Sequence, residues 1–114
     1  MDHTIQEKSF HFAIRIVNLC KYLQTEQKEF ILSKQLLRSG TSIGANVSES
    51  QQAQSRPDFI NKLNIALKES AETEYWLRLL YATDYLSSDQ FNSIFADSNE
   101  VKSLLVAIVK SSKN

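Results

Sequence analysis

The feature that most constrains the fold of this chain is a seam of apolar and small residues that recurs every three or four positions for about seven helical turns. The seam consists of Phe59, Leu63, Ala66, Ser70, Thr73, Leu77, Leu80 and Asp84. This spacing is typical of a long helix that packs against neighbouring helices along its whole length. Just before the seam, Ser55 and Asp58 stand three apart as in a capping box with a short acid, and Pro57 suits a first helical turn. The sequence therefore predicts a long helix that starts at Ser55.

Three further helices are predicted from the same kind of pattern. Apolar residues at helical spacing predict a first helix over residues 4–24, followed by a polar connection at 25–28. A second apolar set begins at Phe30 and continues through Leu36 to Val47. The last helix opens at Ser87, with Gln90 at the capping-box position, and gives way to a polar tail at residues 110–114.

Composition agrees with an all-α protein. In 114 residues there are two glycines and one proline, and 42% of the residues are hydrophobic. Four helices with short connections predict an up-down antiparallel four-helix bundle, and the length suits a single domain over residues 1–114.

The segment around Gly40 and Gly44 allows two interpretations. Residues 38–46 are poor in helix formers, so a loop could divide the second helix there. Alternatively, the helix continues and the two glycines, four apart, allow another backbone to approach closely. We favour the continuous helix because no proline and no Asn-Gly pair interrupts the segment.

A polar stripe runs along the second helix at spacings of four, four and three. It consists of Arg38, Ser42, Asn46 and Glu49. Glu69, Thr73 and Glu74 form a comparable stripe on the third helix, and an Arg38–carboxylate pair bridged by Asn46 would satisfy these groups if they are buried. The sequence thus favours a polar network that fixes register between helices or subunits, with a ligand or nucleic-acid site as the alternative.

The third helix carries more apolar residues than one seam needs. The additional residues are Ile60, Leu67, Tyr75, Trp76, Leu79 and Tyr81. They indicate either a thick core or a subunit interface, because aromatic residues in excess of one stripe are common at such interfaces.

Charge and motifs limit the possible functions. Thirteen basic and 13 acidic residues give a formal net charge of zero, so a nucleic-acid partner would need a local patch. Arg56 with Lys62, or Lys102 with Lys110, could form such a patch once repeated in an oligomer, but we favour the interpretation that they lie on solvated helix faces.

Motifs for catalysis are missing from the sequence. No nucleotide-binding, metalloprotease, hydrolase or CxxC motif occurs, and Cys20 is expected to be a buried, inert thiol in the first helix. We therefore expect no catalytic residues, no cofactor, no metal and no small-molecule substrate. Because neither a signal peptide nor a membrane span is evident, we expect a cytoplasmic protein.

Three segments carry a resemblance to a known family: QLLRSGTSIGANVSES (residues 35–50), SRPDFINKL (residues 55–63) and ALKESAETEYWL (residues 66–77). Together they closely resemble the 23S rRNA intervening-sequence protein family, also called the four-helix bundle protein family. The resemblance extends from about residue 12 to residue 80. The positions that mark it, to which we assign an assembly role, are Arg38, Asn46, Glu49, Phe59 and Glu74.

The resemblance implies a four-helix bundle that assembles as a ring-like homopentamer. It also implies a relationship to the accessory variability determinant of diversity-generating retroelements, a basic barrel that binds nucleic acid and a reverse transcriptase. We accordingly expect a non-enzymatic, homo-oligomeric scaffold associated with RNA or with a nucleic-acid-associated protein. The alternative is a protein–protein interaction module that binds no nucleic acid.

Overall fold

The computed structural model describes residues 3–113, and these form four helices and no strand. The helices are α1 (His3–Thr25), α2 (Leu32–Ser50), α3 (Arg56–Ala82) and α4 (Ser88–Ser112). The predicted all-α class is therefore confirmed. The bundle measures 44 × 20 × 19 Å, so its long dimension is set by the helices themselves. None of the helices in residues 3–113 is both long and apolar enough to span a membrane.

The four helices pack in a closed cycle. Each helix contacts the next one along the chain, and α4 returns to contact α1. The α2–α3 contact is the most extensive and the α1–α4 contact is the smallest. Ion pairs Arg15–Asp97 and Lys8–Glu100 show that α1 and α4 run antiparallel, because the earlier residue on α1 pairs with the later residue on α4.

The α3 seam lies in the core, as the spacing predicts. Leu63, Ala66, Leu77 and Leu80 are fully buried, together with the hydroxyl residues Ser70 and Thr73. The helix begins at the predicted cap, where the Ser55 side chain accepts the Asp58 N–H at 3.2 Å. It ends at Ala82, so the prediction that Asp84 continues the seam is wrong. Asp84 has a φ of 69°, and this left-handed conformation turns the chain toward α4.

The start of α4 is the capping box that the sequence predicts. The Ser87 hydroxyl accepts the Gln90 N–H at 3.1 Å, and the Gln90 side chain accepts the Ser87 N–H at 2.8 Å. The helix continues to Ser112, so the predicted polar tail beginning at Lys110 is largely helical. Lys110 lies in the last helical turn, where its positive charge suits the negative end of the helix dipole.

The start of α2 is capped by a buried carboxylate that precedes the helix. Glu29 is 8% exposed, and its side chain accepts the N–H groups of Ile31, Leu32 and Ser33 at 3.1, 2.9 and 2.7 Å. These N–H groups have no partner inside the helix, so one carboxylate satisfies most of the helix terminus. The residue after it, Phe30, is exposed and lies outside α2, which corrects its assignment to the apolar set of that helix.

Candidate assembly and nucleic-acid surfaces

Both glycines lie inside α2, which is continuous across them. The continuous-helix interpretation is therefore confirmed, and the loop alternative is wrong. A Cβ at Gly40 would lie 2.8 Å from Cγ2 of Ile16, and a Cβ at Gly44 would lie 3.2 Å from the backbone oxygen of Ser9. Both Ile16 and Ser9 belong to α1. The two glycines thus let α1 and α2 approach closely, and this contact is within one protomer.

Arg38 sits between two carboxylates of α3. Its guanidinium pairs with Glu69 at 3.3 Å and with Glu72. Glu72 also accepts the indole N–H of Trp76 at 2.9 Å. The predicted Arg38–carboxylate pair between the helices is thus present. However, the Arg38 side chain is 49% exposed, so the expected buried network does not exist around it.

The other polar residues of the predicted network have partners that differ from the predicted ones. Asn46 donates to the backbone oxygen of Ser42 at 2.8 Å and does not bridge Arg38 to a carboxylate. Glu49 pairs with Lys62 at 3.1 Å. Glu74 pairs with Lys102 of α4 at 3.3 Å and not with Arg38. The reason is geometric: Glu72 and Glu74 are two residues apart and therefore point to opposite flanks of α3.

The buried polar contact between α2 and α3 is made by hydroxyl groups. Thr73 donates to the Ser39 hydroxyl at 3.0 Å, and both residues are fully buried. The sequence placed Thr73 in both the seam and the acidic stripe, but it gave no sign that Ser39 would be its partner. This pair, and not Arg38, is thus a buried polar contact between the two helices.

Two of the four candidate nucleic-acid contacts are neutralised within the protomer. Lys62 and Lys102 form the ion pairs with Glu49 and Glu74. Arg56 donates to the backbone oxygen of Ser112 at 3.0 Å, close to the end of α4. Lys110 is exposed and has no ion pair within residues 3–113. Each of the two candidate patches thus contains one lysine that is paired with a glutamate of the same protomer.

The surplus apolar residues of α3 divide between core and surface. Ile60, Leu67 and Trp76 pack against the buried core, in agreement with the thick-core alternative. Tyr75 is 57% exposed. Tyr81 stacks on Phe91 of α4, with ring centroids 4.5 Å apart.

Phe59, the first residue of the seam, is only partly buried. It packs against the core and lines a shallow pocket at the end of the bundle that also contains Arg56 and Gln51. Phe59 therefore closes the core at the α2–α3 connection.

The largest exposed apolar side chains on α1 lie on one face. Phe10 is 64% exposed and Ile14 is 45% exposed, and they are four residues apart. Phe10 borders a groove between α1 and α2 that is lined by the small residues Ser9, Gly44 and Ser48. We call Phe10, Ile14 and this groove the α1–α2 apolar face.

Cys20 is buried, as expected, and its thiol donates to the backbone oxygen of Ser33 at 3.3 Å. Burial raises the pKa of the Cys20 thiol from 9.0 to about 12, and the charge of Glu29 adds to the shift. The thiol is therefore protonated at neutral pH. In the described part of the chain, no three His, Cys, Asp or Glu side chains are grouped so that they could hold a metal ion.

The fold agrees with the comparisons to known proteins. A family model described as 23S rRNA-intervening sequence protein matches residues 1–107. The chain belongs to this family. A crystal structure of a protein of unknown function from the S23 ribosomal protein family of Bacteroides thetaiotaomicron superposes with a TM-score of 0.93 and is 63% identical. That match covers 94% of this chain and 99% of the other. None of the curated proteins compared with the chain matches it.

Proposed function

We propose that this protein is a non-enzymatic, cytoplasmic scaffold that assembles into a ring-like homopentamer and associates with RNA or nucleoprotein. The observation that carries the assembly is the α1–α2 apolar face. Phe10 and Ile14 remain exposed although α1 is otherwise packed on both sides by α2 and α4. Fully burying one large apolar side chain contributes up to roughly 1.5–3 kcal/mol, and burial of this face is the driving force that we propose for the contact with another copy.

We propose a non-enzymatic protein because of the chemistry of its polar groups. Cys20 is buried and protonated, which makes it a poor nucleophile. The polar cluster around Arg38 consists of an arginine that pairs with two glutamates, and it contains no nucleophile. Such a cluster positions helices and does not specify a reaction. We accordingly assign no cofactor and no small-molecule substrate.

Association with RNA is supported by the family to which the chain belongs, whose description refers to 23S rRNA intervening sequences. We also propose a relationship to the accessory protein of diversity-generating retroelements. This relationship extends the proposed association from RNA to a nucleoprotein. The pairing of Lys62 with Glu49 and of Lys102 with Glu74 favours the second candidate function, a protein–protein interaction module without nucleic acid.

The α1–α2 apolar face can be tested by substitution. Light scattering coupled to size exclusion would be applied to the wild type, to the double variant Phe10→Ser/Ile14→Ser and to Val106→Ser. Val106 is an exposed apolar residue of α4 and serves as the control. We expect the double variant to fall to a mass of 13.0 kDa while the control keeps the wild-type mass. A double variant that stays assembled and folded would remove this face from the interface.

A further inference from the structure

A second stripe follows α3 on the side away from its buried seam. Its members recur every three or four residues: Asn61, Asn64, Lys68, Ala71, Tyr75 and Arg78. Residues at this spacing share one face of a helix. The stripe contains two cations and no carboxylate, and all of its members except the half-buried Asn64 are exposed. We call it the α3 stripe.

The two cations of the α3 stripe are free. Lys68 and Arg78 form no ion pair with any residue in 3–113, in contrast to Lys62 and Lys102. They are ten positions apart, which corresponds to about 15 Å along a helix. One extended single strand can therefore place two of its phosphates, a few nucleotides apart, on the two side chains.

Tyr75 lies between these cations and presents an aromatic ring to solvent. It is three residues before Arg78 and seven after Lys68 on the same face. Its ring meets Trp76 edge-on, with centroids 4.9 Å apart and an interplanar angle of 75°. Trp76 is in turn fixed by its hydrogen bond to Glu72. The Tyr75 ring is thus braced from the α2 side while it remains 57% exposed.

The nearest carboxylates do not cancel the two free cations. Glu69 and Glu72 lie on the flank of α3 that faces α2, and Arg38 pairs with both. Glu74 lies on the opposite flank and pairs with Lys102. These carboxylates are therefore already engaged by Arg38 and Lys102, and none lies within ion-pair distance of Lys68 or Arg78 in residues 3–113.

We propose that the α3 stripe binds single-stranded RNA, with Tyr75 stacking on a base and with Lys68 and Arg78 binding phosphates. An exposed aromatic ring flanked by free cations on a rigid element is the arrangement that binds single strands with little sequence preference. The proposal rests on the RNA association proposed above and names the surface and the form of RNA. It also moves the nucleic-acid contacts away from Lys62 and Lys102, which are already paired.

The experiment is a binding titration with a labelled uridine oligomer of about 20 nucleotides, which has no base-paired structure. It would compare the wild type with Tyr75→Ala and with Lys68→Gln/Arg78→Gln, each at about 50 and 200 mM salt. The control is Lys21→Gln/Lys34→Gln, which removes two exposed cations, one from α1 and one from α2, that form no ion pair within residues 3–113 and so changes the net charge equally. Since Trp76 is the only tryptophan and contacts Tyr75, its emission reports on binding at the stripe.

We expect Tyr75→Ala to weaken binding on the order of tenfold, because stacking of one base on one ring has about that effect. The double variant of the stripe should reduce the salt slope by about one to two units, whereas the control should leave the slope close to that of the wild type. Equal weakening in the stripe and control variants, or no binding by the wild type at low salt, would overturn the proposal. The masses of all variants are measured in parallel. A Tyr75→Ala protein that loses assembly but still binds RNA would identify the α3 stripe as a contact between copies. That result would reject RNA binding at the stripe and would leave the proposed scaffold function in place.

Discussion

Gly40 of α2 lies directly against Ile16 of α1, so closely that a methyl group at Gly40 would stand 2.8 Å from Cγ2 of Ile16. Ile16 is fully buried and its contacting atoms are next to its own Cβ, so the side chain has little room to move. This contact sets the distance between α1 and α2.

Gly40→Ala is therefore expected to destabilise the protein although alanine is the better helix former. Overpacking typically costs about 1–3 kcal/mol, which exceeds the helix-propensity gain of about 1 kcal/mol. Chemical denaturation measures the net change in the free energy of unfolding. Ala45→Gly, at an exposed site of the same helix, gives the propensity term alone. If Gly40→Ala proves more stable than the wild type by that full amount, the close contact is not limiting.

Replacement of Glu29 should loosen the start of α2. Glu29→Ala leaves three backbone N–H groups without their acceptor and is expected to cost about 1–3 kcal/mol. The free energy of unfolding in urea measures this cost, and Glu26→Ala, an exposed acid in the same connection, is the control. Equal stability of the two variants would show that the Glu29 carboxylate does not cap the helix.

Arg38→Ala is expected to have only a small effect on stability. The side chain is 49% exposed, and ion pairs at such positions contribute about 1 kcal/mol or less. A buried network would instead lose about 3–5 kcal/mol when its cation is removed. A thermal melt distinguishes the small loss of stability from the large one. The comparison variant is Thr73→Val, which removes the buried hydroxyl bond to Ser39 and should be the more destabilising change.

The buried thiol of Cys20 predicts a loss of stability in alkaline solution. Its folded pKa of about 12 lies above the unfolded value of 9.0, so between these values the unfolded chain releases a proton that the folded chain keeps. The free energy of unfolding should then fall with rising pH by about 1.4 kcal/mol per unit above pH 9, and below pH 9 the contribution of Cys20 is constant. Cys20→Ser should show a shallower decline over the same range. Identical slopes for the two proteins would mean that the thiol ionises equally well in the folded state.

Features of the fold that depend on local sequence could be predicted, and those that depend on facing helices could not. The α3 seam, the Ser87 capping box and the continuous helix through Gly40 all follow from residues a few positions apart. The Glu29 cap could not be predicted from the sequence. Its carboxylate acts from outside the helix, and the N-cap residue is Ile31, which is not one of the usual capping residues Ser, Thr, Asn or Asp.

The candidate site shows the same division. Whether Lys62 is free or paired depends on which residue of α2 stands opposite it, and spacing along α3 carries no information on that register. The choice of Glu72 over Glu74 as a partner of Arg38 likewise follows from which flank of α3 faces α2. Exposure of Phe10 and Tyr75 could be assigned only once the four helices were assembled.

The measurement that tests the scaffold most directly is native mass spectrometry of the unmodified protein, supported by sedimentation at micromolar concentration. We expect an assembly of five copies of the 13.0 kDa chain that persists on dilution through that range. A species of 13.0 kDa at all concentrations would contradict it, because the α1–α2 apolar face would then remain exposed in the functional protein.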